Sequence, residues 1–510
     1  MKIYPNDIVI PVQNIAETFQ KDIHRDFIPV NAWYGKLFKA TISVTNNNKE
    51  EKIRCRIWRI SPVGVELALC NMQETGNSEQ CRAKFNIVKA DIGEKLRLEL
   101  DIAGNQLKFR GIVIKKDYME NGYNLIGLSI HKINNDNDNN NGKAHKNWSF
   151  PDEFSPEAYA PCPVKNGNIF FSVRQINKKG MLISTDVHNK YILPGIILNC
   201  TINLFIFGQV NTFLKIEQVD IKEENAEHKH EHKLLIYGTF TKSGKNFYGK
   251  FGEYILKYAS VTTSVKELNE QGFPVFSLKK SIHLKFVENS KDYEKVVELR
   301  NLAYAAKINN PSSGPDFLEE RALIIMALYR DKLIGTLRLI FNDGTQLMEN
   351  EQFVKLPEYF PPKNQTLEVG RVCTHTDFRG SDLLSEIFRF TALTLLESDR
   401  KYIVTGSMKD LLPLYKKLGF KNSGIYYRYK ELNNLKHEIL LLDIDKVAKA
   451  KTWNPVRWLY WNIIWEELYN YVVIEKQLMK FSKSDKIRIK LIKILKPLSS
   501  LIYSYYIKKK

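Results

Sequence analysis

No two cysteines of this sequence stand in a CxxC spacing; the six present, Cys55, Cys70, Cys81, Cys162, Cys200 and Cys373, are scattered. That excludes a disulfide scaffold or zinc ribbon and predicts a reducing, cytosolic compartment. No apolar run approaches the ~18 residues of a spanning helix, which excludes a polytopic membrane protein. Met1 to Asp7 lacks the apolar core of a signal peptide, so secretion is not expected. Apolar residues are not short: 44% hydrophobic and 26% charged exclude disorder throughout. At ~150 residues per domain, a chain of 510 residues predicts three or so domains.

What the chain has in excess is positive charge, +19 from 76 basic and 57 acidic residues. Such a balance points to a polyanion: nucleic acid, an anionic membrane or an acidic protein. From Lys451 to Lys510 there are thirteen basic and four acidic residues, a net +9, and four of the seven tryptophans: Trp453, Trp458, Trp461 and Trp465. Ile487, Leu491, Ile494, Leu498 and Leu501 recur at helical spacing, with Lys486, Lys490 and Lys493 on the other side. This reads either as an interfacial membrane segment or as C-terminal helices packed on the protein with a solvated lysine face. Neither half of the tail carries a nucleic-acid motif, so nucleic acid is the least expected partner.

A run from Asn134 to Gly142, nearly all Asn and Asp, can bury nothing and predicts a linker. Before it, alternating runs such as Lys39–Thr45, Lys95–Asp101, Gly111–Ile114 and Asn124–Ile130 predict a small antiparallel barrel. Residues 163–262 repeat the plan. The stretch Glu223–His232, with His228, His230 and His232, suits a solvated hairpin loop better than a metal site. From about 281, strands and helices alternate, which predicts an α/β or α+β domain. The expected boundaries are a barrel at 1–132, a linker at 133–160, a second barrel at 161–265, the α/β domain at 281–447 and a basic helical tail at 451–510.

Arg59-Ile60-Ser61-Pro62-Val63-Gly64 and Gln175-Ile176-Asn177-Lys178-Lys179-Gly180 each stand between two strands. Both resemble the (D/N)-x-S-x-x-G turn of PilZ domains, six-stranded barrels that bind cyclic di-GMP. The resemblance implies Arg59, Ser61, Gly64, Asn177 and Gly180 as nucleotide-binding positions and cyclic di-GMP as an effector. Both copies depart from the motif: Arg59 and Gln175 replace the acid or amide, Asn177 replaces the serine, and the upstream R-x-x-x-R is missing. The alternative is a pair of degenerate barrels that dock or space.

The α/β region carries Leu367 to Cys373, then Asp377-Phe378-Arg379-Gly380-Ser381-Asp382, and later Tyr415-Lys416-Lys417-Leu418-Gly419-Phe420. A strand, loop and helix start in this order make an anion site. The set resembles the GNAT acyltransferase superfamily, with Asp382 and Leu384 where its glycine motif has small residues. Gly335-Thr336-Leu337-Arg338-Leu339, Phe353 and Glu368-x-x-Arg371 resemble autoinducer synthases and the related long-chain N-acyl amino acid synthases. Arg300-x-x-x-Tyr304 and Asp316-x-x-Glu319 are similar to two earlier motifs of that group. The Trp that follows in the group is missing, which favours another acyl-amine over a homoserine lactone.

For the chemistry, a carboxylate must take a proton from the attacking amine, and Glu368 is the candidate base; it can equally be a strand residue paired with Arg371. Arg338 and Arg371 either hold the acceptor's carboxylate or neutralise Glu368 and Asp316. N–H groups near Cys373 and Thr374 would polarise the thioester oxygen. The resemblance implies Tyr415 as the acid for the departing thiolate, against core packing as the alternative. It also implies Arg379, Gly380 and Ser381 at the donor's phosphate, and Asp316 and Arg300 at the substrate. Cys373 has no histidine partner pattern, so direct transfer is expected rather than an acyl-enzyme; His375 and Asp377 read as loop residues. The expectation is an acyltransferase with no metal and no tightly bound cofactor. It would use acyl-CoA or an acidic acyl carrier protein as donor and a small amine as acceptor, in the cytoplasm or at the inner membrane face. The competing expectation is a non-catalytic cyclic di-GMP receptor whose GNAT-like domain only binds.

Overall fold

The computed structural model describes residues 38–46, 49–61, 64–68, 93–102, 104–118, 124–132, 145–163, 166–186, 189, 191–226, 229–304, 316–429, 434–451, 468–469 and 479–494. The chain divides into two compact units. One runs to Thr262 and includes Gln271–Phe273; the other comprises Thr263–Glu270 and Pro274 onward.

The first unit opens with β1 (Phe38–Asn46), β2 (Lys49–Ser61), β3 (Gly64–Ala68), β4 (Lys95–Ile102), β5 (Asn105–Tyr118) and β6 (Asn124–Lys132). They form a closed barrel in the order β1-β2-β3-β6-β5-β4. Strict alternation drives it: Leu96, Leu98, Leu100 and Ile102 of β4 point inward with Ile42, Phe109, Val113 and Leu128, all buried.

Next come β7 (Trp148–Ser149), β8 (Glu157–Pro161), β9 (Asn168–Ile176), β10 (Gly180–Asp186), β11 (Ile197–Leu204), β12 (Gly208–Ala226) and β13 (Lys229–Ser243), followed by helix α1 (Phe247–Tyr258). Their sheet order is β10-β13-β12-β11-β8-β9-β7, with β9 also paired to β10. Strands β8 to β13 therefore repeat the neighbour pattern of β1 to β6. The expected repeat is present as topology. The expected linker is shorter than 133–160, because β7 and β8 lie inside it. Buried Trp148, Phe150, Ala158 and Ala160 tie this stretch to the second sheet, and Trp148 meets Phe273 edge to face at 5.3 Å. The stretch expected to be a loop, apart from 227–228, continues the β12–β13 ladder, with Glu223 opposite His232 and Asn225 opposite His230.

The second unit contains α2 (Val265–Glu270), β14 (Ile282–Phe286), α3 (Ser290–Tyr304), β15 (Ala322–Tyr329), β16 (Lys332–Phe341), β17 (Thr366–Thr374), α4 (Leu383–Glu397), β18 (Tyr402–Met408), α5 (Leu412–Leu418), β19 (Lys421–Tyr429), β20 (Leu435–Asp443) and α6 (Ile444–Ala448). One sheet runs β14-β15-β16-β17-β18-β20-β19. All its neighbours are antiparallel except β17 and β18, joined by the α4 crossover. That parallel pairing covers only Thr366 with Tyr402, Leu367 with Ile403 and Glu368 with Val404. Both strands continue, so they part beyond Glu368 and Val404 and leave facing backbone edges open in mid-sheet.

The unit starts before the expected 281, since α2 and the segment from Pro274 belong to it. Of the tail, 483–494 is helical. Ile489 and Ile492 are buried, whereas Ile487, Leu491 and Ile494 are 61%, 45% and 60% exposed. The stripe chosen by spacing thus faces out, and a second one holds the helix in place. The four tail tryptophans, Leu498, Leu501 and the terminal lysines lie outside the described residues. Among the described residues no helix is long and apolar enough to cross a membrane.

Candidate active site

The parting of β17 and β18 defines the site because both sheet faces meet there. Side chains of successive strand residues alternate between faces. On one face Val404 packs with Tyr427, Ile439 and Phe353; on the other, the hydroxyl of Tyr415 meets Thr405, the next residue of β18.

The first face carries a buried charge cluster. Arg338 Nη1 donates to Asp316 Oδ1 at 2.9 Å and Glu319 Oε1 at 2.8 Å, and its Nη2 lies 2.7 Å from Glu349 Oε2. Arg300 Nη1 donates to Glu319 Oε1 at 2.9 Å, and Arg371 Nη2 to Asp316 Oδ2 at 2.7 Å. Arg300 and Arg338 are both fully buried. Burial alone would raise the Asp316 carboxyl, but the guanidinium groups of Arg338 and Arg371 outweigh it and hold its pKa below the usual value. Arg300 Nε and Nη2, Glu319 Oε2, Arg338 Nε and Tyr293 Oη are buried with no hydrogen-bond partner among the described residues. A folded core rarely leaves so many together unless a ligand or water completes them.

Arg371 itself is strained. Register slips between Thr336 and Arg338 on β16, so a bulge falls at Arg371 and Val372 of β17. Arg371 has φ +47°, a left-handed conformation that a side chain with Cβ seldom adopts. The bulge redirects its guanidinium to Asp316.

Glu368 does not take the strand pairing with Arg371 that was one of its two expected placements. Its Oε2 accepts from Glu349 N at 2.7 Å, and its Oε1 from Asn350 N at 3.0 Å and Asn350 Nδ2 at 2.6 Å. It does not pair with Arg371, and it is 1% exposed. Burial, then the nearby Glu349 charge, push its pKa up to about 7 despite those N–H donors. Arg338 is likewise no clamp for an acceptor carboxylate: it is enclosed by Asp316, Glu319 and Glu349 and acts as their neutraliser.

On the second face Tyr415, held among Phe388 and Phe420, has its pKa pushed up to about 12 by burial. It is therefore a neutral, buried hydroxyl beside the residue that follows the last β17–β18 pair, and it is also core. Cys373 packs with Val296, Leu299, Ile324, Met326 and Leu333, and burial pushes its thiol up to about 12. A thiol kept protonated is a poor nucleophile. Cys373 and Thr374 lie on β17 beyond its last pair with β18.

Arg379 and Gly380 are exposed. Gly380 has φ +84° and open space where a Cβ would stand. Ser381 Oγ donates to Phe378 O at 2.7 Å. Asp382, which replaces a small motif residue, caps no N–H of α4. Instead its Oδ1 accepts from Leu278 N at 2.7 Å and its N donates to Phe276 O at 3.1 Å. His375 Nδ1 accepts from Asp377 N at 3.2 Å, a loop role for both residues.

Of the barrel turns, Arg59 lies opposite Glu66, and Ser61 opposite Gly64, at the β2–β3 turn. In the second barrel Asn177 Oδ1 accepts from Lys179 N and Gly180 N at 2.8 and 2.9 Å. Gly180 has a structural reason, because a Cβ there would stand 2.1 Å from Gly238 O. Spacing and motif missed Glu349 and Asn350, and the roles of Asp382 and Thr405. The one signal for Glu349 is a carboxylate four residues before the motif's Phe353.

Residues 316–388 match the acetyltransferase (GNAT) domain family, and the chain is an acyltransferase. No curated protein matches the sequence. Among solved structures, Escherichia coli ElaA shares 15% identity over 32% of this chain and 99% of its own, with TM-score 0.26. FeeM, an N-acyl amino acid synthase from uncultured soil microbes, shares 17% over 32% of this chain and 92% of its own, TM-score 0.27. MrkH of K. pneumonia, in a complex with c-di-GMP, shares 15% over 45% of this chain and 86% of its own, TM-score 0.18.

Proposed function

We propose that the protein transfers a long-chain acyl group from a thioester of CoA or acyl carrier protein to the amine of a small acceptor such as an amino acid. The observation that carries this is the mid-sheet cleft with a carboxylate-rich, partly unsatisfied charge cluster on one face and the neutral Tyr415 hydroxyl on the other. The amine attacks the thioester carbonyl from the cluster side. Backbone N–H groups near Cys373 and Thr374 receive the oxyanion. The C–S bond breaks toward the second face, where Tyr415 protonates the thiolate. A protonated Cys373 favours direct transfer. Arg379, Gly380 and Ser381 meet the donor's phosphate, with Gly380 leaving room for backbone approach. Arg300 and Asp316 shape the acceptor end.

A basic surface suits an acidic carrier protein. The exposed Ile487, Leu491 and Ile494, bordered by Lys486, Lys490 and Lys493, suit an anionic bilayer. Pelleting with anionic but not neutral vesicles is expected, and no pelleting with either refutes that placement. The barrels regulate transfer, and the first, which keeps Ser61 and Gly64, is the better cyclic di-GMP candidate. Purified protein incubated with acyl thioesters and a panel of amino acids tests the main reading. Thiol release together with a new acyl-amine by mass spectrometry is expected, and their joint absence would sink it.

A further inference from the structure

Resting on that reading, the geometry points to Glu349, rather than Glu368, as the catalytic base that takes the proton from the attacking amine.

Three observations lead there. Glu368 has both oxygens committed to Glu349 N, Asn350 N and Asn350 Nδ2 and is buried in the sheet. It grips the loop through these three hydrogen bonds, which fix both of its oxygens on the loop backbone and on Asn350. The loop residue it grips carries its own carboxylate to the cleft. Glu349 Oε2 lies against Gly370, where a Cβ would come within 2.6 Å of it. Gly370 stands two residues past the last β17–β18 pair, so this oxygen is at the point where the strands part. The Glu349 side chain is 15% exposed, unlike that of Glu368, and so is reachable from the cleft.

Arg300 Nε and Nη2 and Glu319 Oε2 of the same cluster have no hydrogen-bond partner among the described residues, which suits a polar ligand beside it. Among the described residues, Arg338 of β16 lies 2.7 Å from Glu349, and Glu368 of β17, Tyr304 of α3 and His437 of β20 are near enough to feel its charge. Burial raises the pKa of Glu368, the more buried carboxyl of the two. The two carboxyls take separate parts: Glu368 positions the loop through its N–H groups, and Glu349 serves as the base.

The step balances. The amine nitrogen bonds to the carbonyl carbon and gives one proton to Glu349 Oε. The tetrahedral oxyanion collapses, the C–S electrons leave on sulfur, and Tyr415 supplies the thiol proton. Solvent then carries the Glu349 proton back to Tyr415.

The test is the pH profile of kcat/KM for Glu349→Gln, Glu349→Asp and Glu368→Gln. Glu349→Gln should lower kcat/KM about 100- to 1000-fold and erase the acid limb. Glu349→Asp, which keeps a carboxylate if the glutamine variant fails to fold, should retain the limb at an intermediate rate. Glu368→Gln should keep the limb with a smaller loss. An unchanged Glu349→Gln profile, or a limb lost in Glu368→Gln alone, overturns the inference while leaving acyl transfer intact. A wild-type protein that makes no acyl-amine instead removes the reading beneath it.

Discussion

At the turn of the second barrel and at the cleft of the acyltransferase unit, polar groups meet opposite fates. In the turn, Asn177 answers the N–H groups of Lys179 and Gly180, and its Nδ2 donates to Asn147 Oδ1 at 2.7 Å. Lys178 Nζ donates to Gly272 O at 3.0 Å and sits 3.1 Å over the Tyr248 ring. The turn is complete within its own chain. In the cleft, Arg371 is held at φ +47°, and buried atoms of Arg300, Glu319 and Arg338 have no hydrogen-bond partner among the described residues. The fold alone gives no return for that strain. A motif match therefore says less about a site than whether its polar groups are already satisfied.

The largest effect that would break the contrast lies in the cleft. Arg338→Met should destabilise the acyltransferase unit by about 3–5 kcal/mol, because buried Glu319 and partly buried Asp316 and Glu349 lose their shared counter-ion. Urea denaturation followed by fluorescence reads it; an unchanged midpoint would mean water already solvates the cluster.

A pH effect comes next. Glu368 titrates near 7 when folded against 4.5 for the free side chain. Between these values the folded chain holds a proton that the unfolded chain lacks. The contribution is fully present below about pH 4.5 and is lost as pH rises through 7, up to roughly 3 kcal/mol. Glu368→Gln should flatten this part of the stability–pH curve. If the variant keeps the wild-type slope, the proton belongs to another group.

Much of the architecture was legible, because alternation along β4 and the apolar spacing of α3 are strong local signals. The members of the charge cluster, Arg300, Asp316, Glu319, Arg338 and Arg371, were legible only through the resemblance that singled them out. Glu349 was not, since it lies in a loop without periodicity and is brought in by Glu368, nineteen residues away, through backbone N–H groups. The tail misled for another reason. Its helix is apolar on two sides, so spacing could not tell the packed pair Ile489 and Ile492 from the exposed stripe. β7 escaped because two residues carry no pattern.

The smallest effect tests the other side of the comparison. Lys178 loses some of its charge preference to burial, which lowers its pKa, and it makes one hydrogen bond and one cation–π contact. Lys178→Met keeps the length of the side chain and removes the charge, so destabilisation of about 1 kcal/mol is expected. The informative readout is a titration with cyclic di-GMP, run on wild type and variant alike. A turn complete within its own chain predicts the same nucleotide affinity, or the same lack of it, in both proteins. If affinity instead falls tenfold or more in the variant, Lys178 leaves Gly272 and Tyr248 to meet a phosphate. The second turn would then be a closed site that opens for its ligand, and the contrast with the cleft would become one of degree.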